Sequence, residues 1–167
     1  GNPHLRTPAM DSLAARGVRF EKSYCTYPVC TPSRASHVTS RMPHELGILS
    51  NQICPGIPDD AANLGAVFRQ AGYHTAWAGK WHVPAPYPGF LTGVRAKMPG
   101  FDVLPLKGPA HRSVPDTAPG MGSDPSTTKA AVDFLAQPQD RPFLLVVSLL
   151  NPHDICEYPK EPGHFPT

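Results

Sequence analysis

The stretch Phe143-Leu144-Leu145-Val146-Val147-Ser148-Leu149 decides the fold class of this chain. A continuous apolar run of this length, rich in branched residues, is typical of a strand that is covered on both faces. Upstream of it, Asp124-Pro125 opens a predicted helix with an apolar face. A helix that leads into a buried strand predicts an α/β protein, with its sheet between layers of helices.

Three more helices are predicted upstream of this strand. The first begins at Pro8, with Thr7 as a possible cap, and ends before Gly17. The second runs from about residue 32 to residue 40, and the third from about 60 to 71. Helices therefore alternate with strands along the whole chain, which favours the α/β class.

Two more strands are predicted. Residues 18–24 alternate between polar and apolar, as in a half-buried strand, and residues 73–78 form another. With 143–149 they make three strands, which is few for an α/β sheet. We therefore expect either further strands or a chain that is one part of a larger domain. Residues 1–167 are therefore expected to form one domain or part of one, with a proline-rich loop region at about 83–125, and the family resemblance given below favours a single partial domain.

The composition is that of a globular protein. The chain has 167 residues, 40% of them hydrophobic and 17% charged, which is enough to bury one core. A net charge of about +2 is too small to indicate nucleic acid, and no apolar run reaches membrane-spanning length. The 22 prolines indicate long loops of the kind that carry function. Tyr87, Phe90 and Arg95 in these loops are candidates for substrate contact.

Cys30-Thr31-Pro32-Ser33-Arg34 is the first of three clusters that could carry chemistry. Pro32 suits the start of a helix, and a helix N-terminus attracts anions. Arg34 offers a fork of donors to a tetrahedral oxyanion. A buried cysteine beside a surface arginine is the structural alternative. A thiolate phosphatase is the catalytic alternative, although this cysteine and arginine are too close in sequence for that class.

Two further clusters each follow a predicted strand. In Gly79-Lys80-Trp81-His82, an extended backbone would project Lys80 and His82 to the same side. In Asn151-Pro152-His153, the imidazole comes directly after the apolar strand. Ligands of open α/β sheets bind at the carboxyl ends of strands, so the three clusters together indicate an anion site. Taken singly, a solvated lysine and loop histidines remain the alternative.

Together these clusters resemble the type I sulfatase family of the alkaline-phosphatase-like superfamily. Cys30 to Arg34, followed by Val38-Thr39-Ser40-Arg41, resembles the family's first signature, C-x-P-S-R-x-x-x-[L/V]-T-G-R, with Ser40 in place of glycine. Other stretches that resemble the family are 7–20, 72–82, 100–102 and 151–153. The resemblance implies a three-layer α/β/α sandwich that is part of an alkaline-phosphatase-like sulfatase domain.

The resemblance also implies a sulfuric ester hydrolase. Cys30 would be converted to formylglycine by a maturase, and one hydroxyl of the hydrated aldehyde would attack sulfur while the other later releases sulfate. A divalent cation, usually calcium in the family, would bind residue 30 and a sulfate oxygen. Arg34 would steady the formylglycine. Lys80 and His153 would hold the sulfate oxygens, and His82 would position the aldehyde hydrate or accept its proton.

The family's other metal ligands lie before and after the part that this sequence resembles. We therefore expect the chain to carry the nucleophile at Cys30 and part of the anion site, but little of the metal site, and to have little or no activity alone. The absence of the family's central strand would leave a sheet edge open to self-association.

Three functional alternatives stay open. The first is a sulfatase, whose substrate would be a small sulfated sugar, aryl or alkyl sulfate ester. Phosphonate monoester hydrolases and phosphodiesterases of the same superfamily use a similar motif, so the reaction could instead be at phosphorus. An inert truncated product with a structural or binding role is the third alternative. The compartment is not fixed, although a periplasmic or secreted parent protein would fit the family.

Overall fold

The computed structural model describes residues 4–58, 60–83, 98–106 and 124–153. In these ranges three helices precede the first strand, a fourth helix lies between the second and third strands, and the three strands form one parallel sheet. The helices are α1 (Pro8–Arg16), α2 (Cys30–Thr39), α3 (Leu64–Gln70) and α4 (Asp124–Leu135), and the strands are β1 (His74–Gly79), β2 (Asp102–Val103) and β3 (Phe143–Ser148). None of the described helices has the length and apolar character needed to cross a membrane.

Strand β1 is the centre of the sheet, whose order is β2-β1-β3 with parallel pairing on both sides. Trp77 is in register with Val103 on one side and with Val146 on the other. Because the strands run in the same direction, their carboxyl ends meet at one edge, where Gly79 lies opposite Ser148. The prediction of an α/β fold is confirmed, and the structure shows that the sheet is parallel.

Helices cover both faces of β1. Successive side chains of a strand point to opposite faces of the sheet. The ring of His74 packs on Phe134 of α4, with ring centroids 5.2 Å apart, whereas the hydroxyl of Thr75 accepts a 3.1 Å hydrogen bond from Arg69 of α3. Helices α3 and α4 therefore lie on opposite sides, which gives the predicted three layers.

The hydrophobic core anchors the helix that begins at Cys30. Trp77 meets Trp81 and Phe101 edge to face, with ring centroids 4.8 and 5.2 Å apart. Ala35 and Val38 of α2 are buried in the same cluster. Burial of an apolar side chain of valine size or larger contributes roughly 1.5–3 kcal/mol, so this packing fixes α2 against the central strand.

The strand predicted at residues 18–24 is wrong. The segment forms no strand, and Val18 and Phe20 are 80% and 79% exposed. Its alternation is real, but a strand is stable only when a neighbour pairs with its backbone groups, and no described strand lies beside it. Strand β3 is half-exposed rather than covered on both faces, and among the described residues it is an edge strand that pairs with β1 on one side alone.

Two helix boundaries also differ from the predictions. Helix α2 begins at Cys30, two residues before the predicted start. Helix α3 begins at Leu64 rather than near Asp60, because the side chain of Asn63 accepts a 3.0 Å hydrogen bond from the Ala66 amide and caps the helix there. The short strand β2 was not predicted.

Candidate active site

Cys30 is the first residue of α2 and is half-buried. The Ser33 amide donates a 3.1 Å hydrogen bond to the Val29 carbonyl and closes the first turn. Pro32 lies inside this turn, where a missing N–H costs nothing because no intrahelical acceptor exists for it. The side chain of residue 30 thus lies at the positive end of a ten-residue helix, where a negative charge is favoured.

Arg34 follows Cys30 by one helical turn and joins α2 to the sheet. Its Nη1 donates hydrogen bonds to the Lys80 carbonyl oxygen at 2.9 Å and to Ser148 Oγ at 3.0 Å. Burial lowers the pKa of the guanidinium below its ordinary value, and the charge of Cys30 partly offsets that effect. An arginine keeps its proton under all ordinary conditions, so a permanent cation lies beside Cys30.

Lys80 leaves β1 at its carboxyl end and is buried, with 3% of its surface exposed. Its amide donates a 2.8 Å hydrogen bond to the Ser148 carbonyl. This close approach depends on Gly79, which has φ +92 and whose hypothetical Cβ would lie 2.2 Å from that carbonyl oxygen and 2.7 Å from Thr127 Cγ2. The glycine of the motif therefore permits the close approach of the two strand ends at which the lysine is buried.

His82 follows Lys80 by two residues in the sequence. Its φ of 55° shows that the backbone is not extended there, so the predicted alternation of Lys80 and His82 along an extended strand is wrong. The His82 carbonyl accepts a 2.9 Å hydrogen bond from Thr31 Oγ1, which holds it to the first turn of α2. Burial, followed by the charges of Lys80, Arg34 and His153, lowers the pKa of His82 to about 4. The imidazole is therefore neutral at neutral pH.

One cavity of about 630 Å³ brings most of the predicted residues together. It is bounded by the first turns of α2, the end of β1, and β3 with the loop that follows. Four of the five predicted site residues line it: Cys30, Arg34, Lys80 and His153. The fifth, His82, is not part of the lining. After burial, the charges of Lys80, Arg34 and His153 contribute to its lowered pKa.

Two polar residues of the site were missed in the sequence. Ser148 Oγ accepts a hydrogen bond from Arg34, which is 114 residues away in the sequence. Asn51 Oδ1 accepts a 2.9 Å hydrogen bond from the amide of Thr31, which is 20 residues away. Neither residue belongs to a motif. The position of Ser148 at the end of the apolar run was the one available signal, because strand ends form the ligand edge of such sheets.

The described residues do not form a divalent cation site. The part of the cavity wall that the structure describes carries cationic and neutral side chains and no carboxylate. In the same ranges, no group of three His, Cys, Asp or Glu side chains could hold a metal ion. Calcium prefers several carboxylate and carbonyl oxygens, so Cys30 alone does not fit the implied metal. The loop candidates Tyr87, Phe90 and Arg95 lie outside the described residues, as does most of the 83–125 region.

The fold and site together define an α/β protein with a cationic cavity at the carboxyl edge of its parallel sheet. The chain belongs to the sulfatase family, whose family model matches residues 1–165. An uncharacterised sulfatase of Escherichia coli K12, YidJ, is 35% identical over 96% of this chain and 36% of that protein. A Δ4,5-hexuronate-2-O-sulfatase of Bacteroides thetaiotaomicron is 32% identical over 91% of this chain and 30% of that protein. The chain thus spans about a third of the length of these curated relatives.

Solved structures agree with the family. A 2-O glycosaminoglycan sulfatase has a TM-score of 0.66 at 29% identity, over 91% of this chain and 31% of that one. A protein solved with its substrate D-glucosamine-2-N,6-O-disulfate has a TM-score of 0.65 at 25% identity, over 89% of this chain and 30% of that one. A phosphonate monoester hydrolase of Agrobacterium radiobacter has a TM-score of 0.69 at 21% identity, over 92% of this chain and 37% of that one. It shares the fold. The prediction of a partial alkaline-phosphatase-like sulfatase domain is confirmed.

Proposed function

We propose that this chain forms the nucleophile-bearing part of a sulfuric ester hydrolase, with Cys30 as the precursor of the nucleophile. The observation that carries the proposal is the convergence of Arg34, Lys80 and His153 on the cavity that Cys30 lines. A sulfate ester is a tetrahedral anion, and preorganised cations beside a nucleophile are the arrangement that stabilises charge during its transfer. Membership in the sulfatase family supports sulfur, rather than phosphorus, as the reacting centre.

The polar side chains that line the cavity have distinct roles in this proposal. Lys80 binds a sulfate oxygen, and its burial strengthens that attraction because little water screens it. His153 binds a second oxygen from the other wall of the cavity. Arg34 is held by the Lys80 carbonyl and Ser148, so it orients residue 30 from a fixed position. Formylglycine, once made from Cys30, supplies the hydrated aldehyde that acts as nucleophile.

The proposed role of His82, which lies outside the cavity lining, is to help position the aldehyde hydrate or to accept its proton. It is neutral at neutral pH, because burial and three cationic neighbours lower its pKa to about 4. A bound sulfate ester brings negative charge beside those same neighbours and offsets their effect.

We further propose a sulfated sugar as the substrate class and a formylglycine-generating maturase as an obligatory partner. The sugar is supported by the structural relative solved with a disulfated glucosamine and by the hexuronate sulfatase relative. A divalent cation, calcium by resemblance, belongs to the same proposal. The described residues do not fit such an ion, so we expect the chain alone to have little or no turnover.

Modification of Cys30 is one test. The chain is coexpressed with a formylglycine-generating maturase, and the peptide that contains residue 30 is analysed by mass spectrometry. We expect the thiol to be replaced by an aldehyde at Cys30, while the buried Cys54 keeps its thiol as the internal control. An unmodified Cys30 in the presence of an active maturase would contradict the proposal.

Anion binding is the second test. Sulfate is titrated into the chain by calorimetry, with phosphate as the competing anion because a phosphonate hydrolase shares the fold. Lys80→Met should weaken sulfate binding by about tenfold or more, the loss expected when a charge-assisted hydrogen bond is removed. Lys129→Met, which removes an exposed lysine paired with Asp133, is the matched control and should leave binding unchanged. Sulfate affinity that is indifferent to Lys80, or a clear preference for phosphate, would overturn the sulfate assignment.

A further inference from the structure

Asp124, the first residue of α4, makes three hydrogen bonds to the loop that follows β3. Its Oδ1 accepts from the Leu150 amide at 2.5 Å, and its Oδ2 accepts from the Asn151 amide at 3.0 Å and from Asn151 Nδ2 at 2.9 Å. The next bond along the loop runs from the His153 amide to the Leu150 carbonyl at 3.0 Å. A single carboxylate therefore holds the turn that leads into His153.

The carboxylate is rigidly placed. Helix α4 packs its buried residues against the sheet, where Phe134 contacts His74 and Phe143 with ring centroids 5.2 and 5.4 Å away. The first turn of a helix also stabilises a negative charge, because its free amides and dipole are positive. Hydrogen bonds from amides to an ionised carboxylate are about twice as strong as neutral ones. Asp124 thus transmits the fixed position of α4 to the loop.

Asp124 does not itself line the cavity, whereas Leu150, Asn151 and His153 do. We propose that Asp124 is a positioning residue of the anion site, which holds the 150–151 turn so that His153 lies beside Lys80 and Cys30. This inference rests on the proposed function, in which His153 binds a sulfate oxygen. Without the carboxylate, the loop amides would turn to solvent and His153 would lose its fixed position relative to Lys80.

The experiment uses NMR on the whole chain and two substitutions of one residue. Asp124→Ala removes all three acceptor contacts, and Asp124→Asn keeps one carbonyl oxygen and so should show an intermediate effect. Asp133→Ala, which removes an exposed carboxylate of the same helix, is the matched control. In sulfate-free buffer, Asp124→Ala should speed amide hydrogen exchange at Leu150 and Asn151 by about tenfold or more and shift the His153 ring signals. Exchange at the Lys80 amide, which bonds to Ser148, should stay at its wild-type rate and report that the sheet is intact.

Sulfate titration then separates this inference from the proposed function. We expect Asp124→Ala to weaken the response of the His153 ring to sulfate several-fold, Asp124→Asn to weaken it less, and Asp133→Ala to match the wild type. Unchanged His153 signals and sulfate affinity in both Asp124 variants would overturn the inference and leave the sulfate site standing. If the wild type ignores sulfate while Asp124→Ala still displaces His153, the positioning role stands and the proposed function fails. Should Asp124→Ala not fold, Asp124→Asn decides by the same two signals.

Discussion

The guanidinium of Arg34 and the carbonyl oxygen of Lys80 are joined by a 2.9 Å hydrogen bond, although 46 residues separate them in the sequence. The same nitrogen reaches Ser148 Oγ at 3.0 Å, across 114 residues. The two motifs that looked independent in the sequence therefore meet through a backbone carbonyl, at the point where the lysine side chain leaves the sheet. Arg34 is thus a structural clamp as well as a cation of the site.

Arg34→Lys tests this clamp. A lysine keeps the positive charge but cannot hold two acceptors in the fixed fork of a guanidinium. We expect the free energy of unfolding to fall by about 1.5–3 kcal/mol, the range for hydrogen bonds that involve a charged group. Urea unfolding of the purified chain measures it. Arg19→Lys, at an exposed arginine paired with Glu21, is the control and should change stability by less than about 0.5 kcal/mol. Equal, small effects at both positions would contradict the clamp.

Gly79→Ala should be among the most damaging single substitutions in the described part of the chain. An added Cβ would lie 2.2 Å from the Ser148 carbonyl oxygen, and φ is already +92. Gly72 has a similar φ of +88 but nothing within 4 Å of the added atom, so Gly72→Ala measures the backbone cost alone. We expect the free energy of unfolding to fall by about 1–2 kcal/mol in Gly72→Ala and by about 4 kcal/mol or more in Gly79→Ala, as measured by thermal or urea unfolding. Similar losses for the two variants would show that the close approach at Gly79 is not real.

Local signals were enough to find most of the elements. Proline at position 8 and glycine at 17 predicted the bounds of α1, and the apolar run predicted β3 to within one residue. The strand predicted at 18–24 is wrong because alternation describes one face of a segment and says nothing about whether a partner strand is present. The start of α3 was misplaced because Asp60 and Asn63 are both good caps, and only the contact from Ala66 identifies the one that acts.

The site was predictable to the extent that its residues belong to motifs. Cys30, Arg34, Lys80 and His153 were found and do line one cavity. Ser148 and Asn51 were missed because they act through hydrogen bonds across 114 and 20 residues, and their types carry no chemical signature of their own. Such partners are fixed by tertiary packing, which a single sequence does not display.

Ser40→Gly should stabilise the protein. Ser40 ends α2 in the left-handed region, with φ 57 and ψ 21, and its amide donates a 2.8 Å hydrogen bond to the Ser36 carbonyl. A left-handed conformation costs a side-chain-bearing residue about 1–2 kcal/mol, and glycine avoids this cost while losing part of the gain to its freedom in the unfolded chain. The expected net gain is about 0.5–1 kcal/mol by urea unfolding. Ser40→Ala keeps the strain, so it should not stabilise, and a gain as large as that of glycine would refute the explanation.

The outer edge of β3 predicts self-association. Among the described residues no strand pairs with that edge, and Phe143 and Val147 are 39% and 43% exposed. Open strand edges pair with other chains, and a charge on the edge prevents this. Sedimentation velocity should show a concentration-dependent dimer that Val147→Lys abolishes. Val132→Lys, at an exposed valine of α4, should leave the dimer intact. A monomer at every concentration would contradict this prediction.

His82 makes stability depend on pH in a defined direction. Its ordinary pKa of 6.5 applies to the unfolded chain, and burial with three cationic neighbours lowers it to about 4 in the folded protein. Above pH 6.5 the imidazole is neutral in both states. As the pH falls below 6.5 the unfolded chain binds a proton that the folded protein does not, so the free energy of unfolding decreases until about pH 4.

The gap between the two pKa values of His82 corresponds to a decrease in the free energy of unfolding on the order of 3 kcal/mol between pH 6.5 and about pH 4. Urea unfolding of the wild type and of His82→Gln between pH 4 and pH 7 isolates this contribution, because every other titrating group is common to both. His82→Gln should lose less stability than the wild type on acidification. His44→Gln, at an exposed histidine, should follow the wild-type curve. Parallel curves for wild type and His82→Gln would show that His82 titrates normally and that the cations do not surround it.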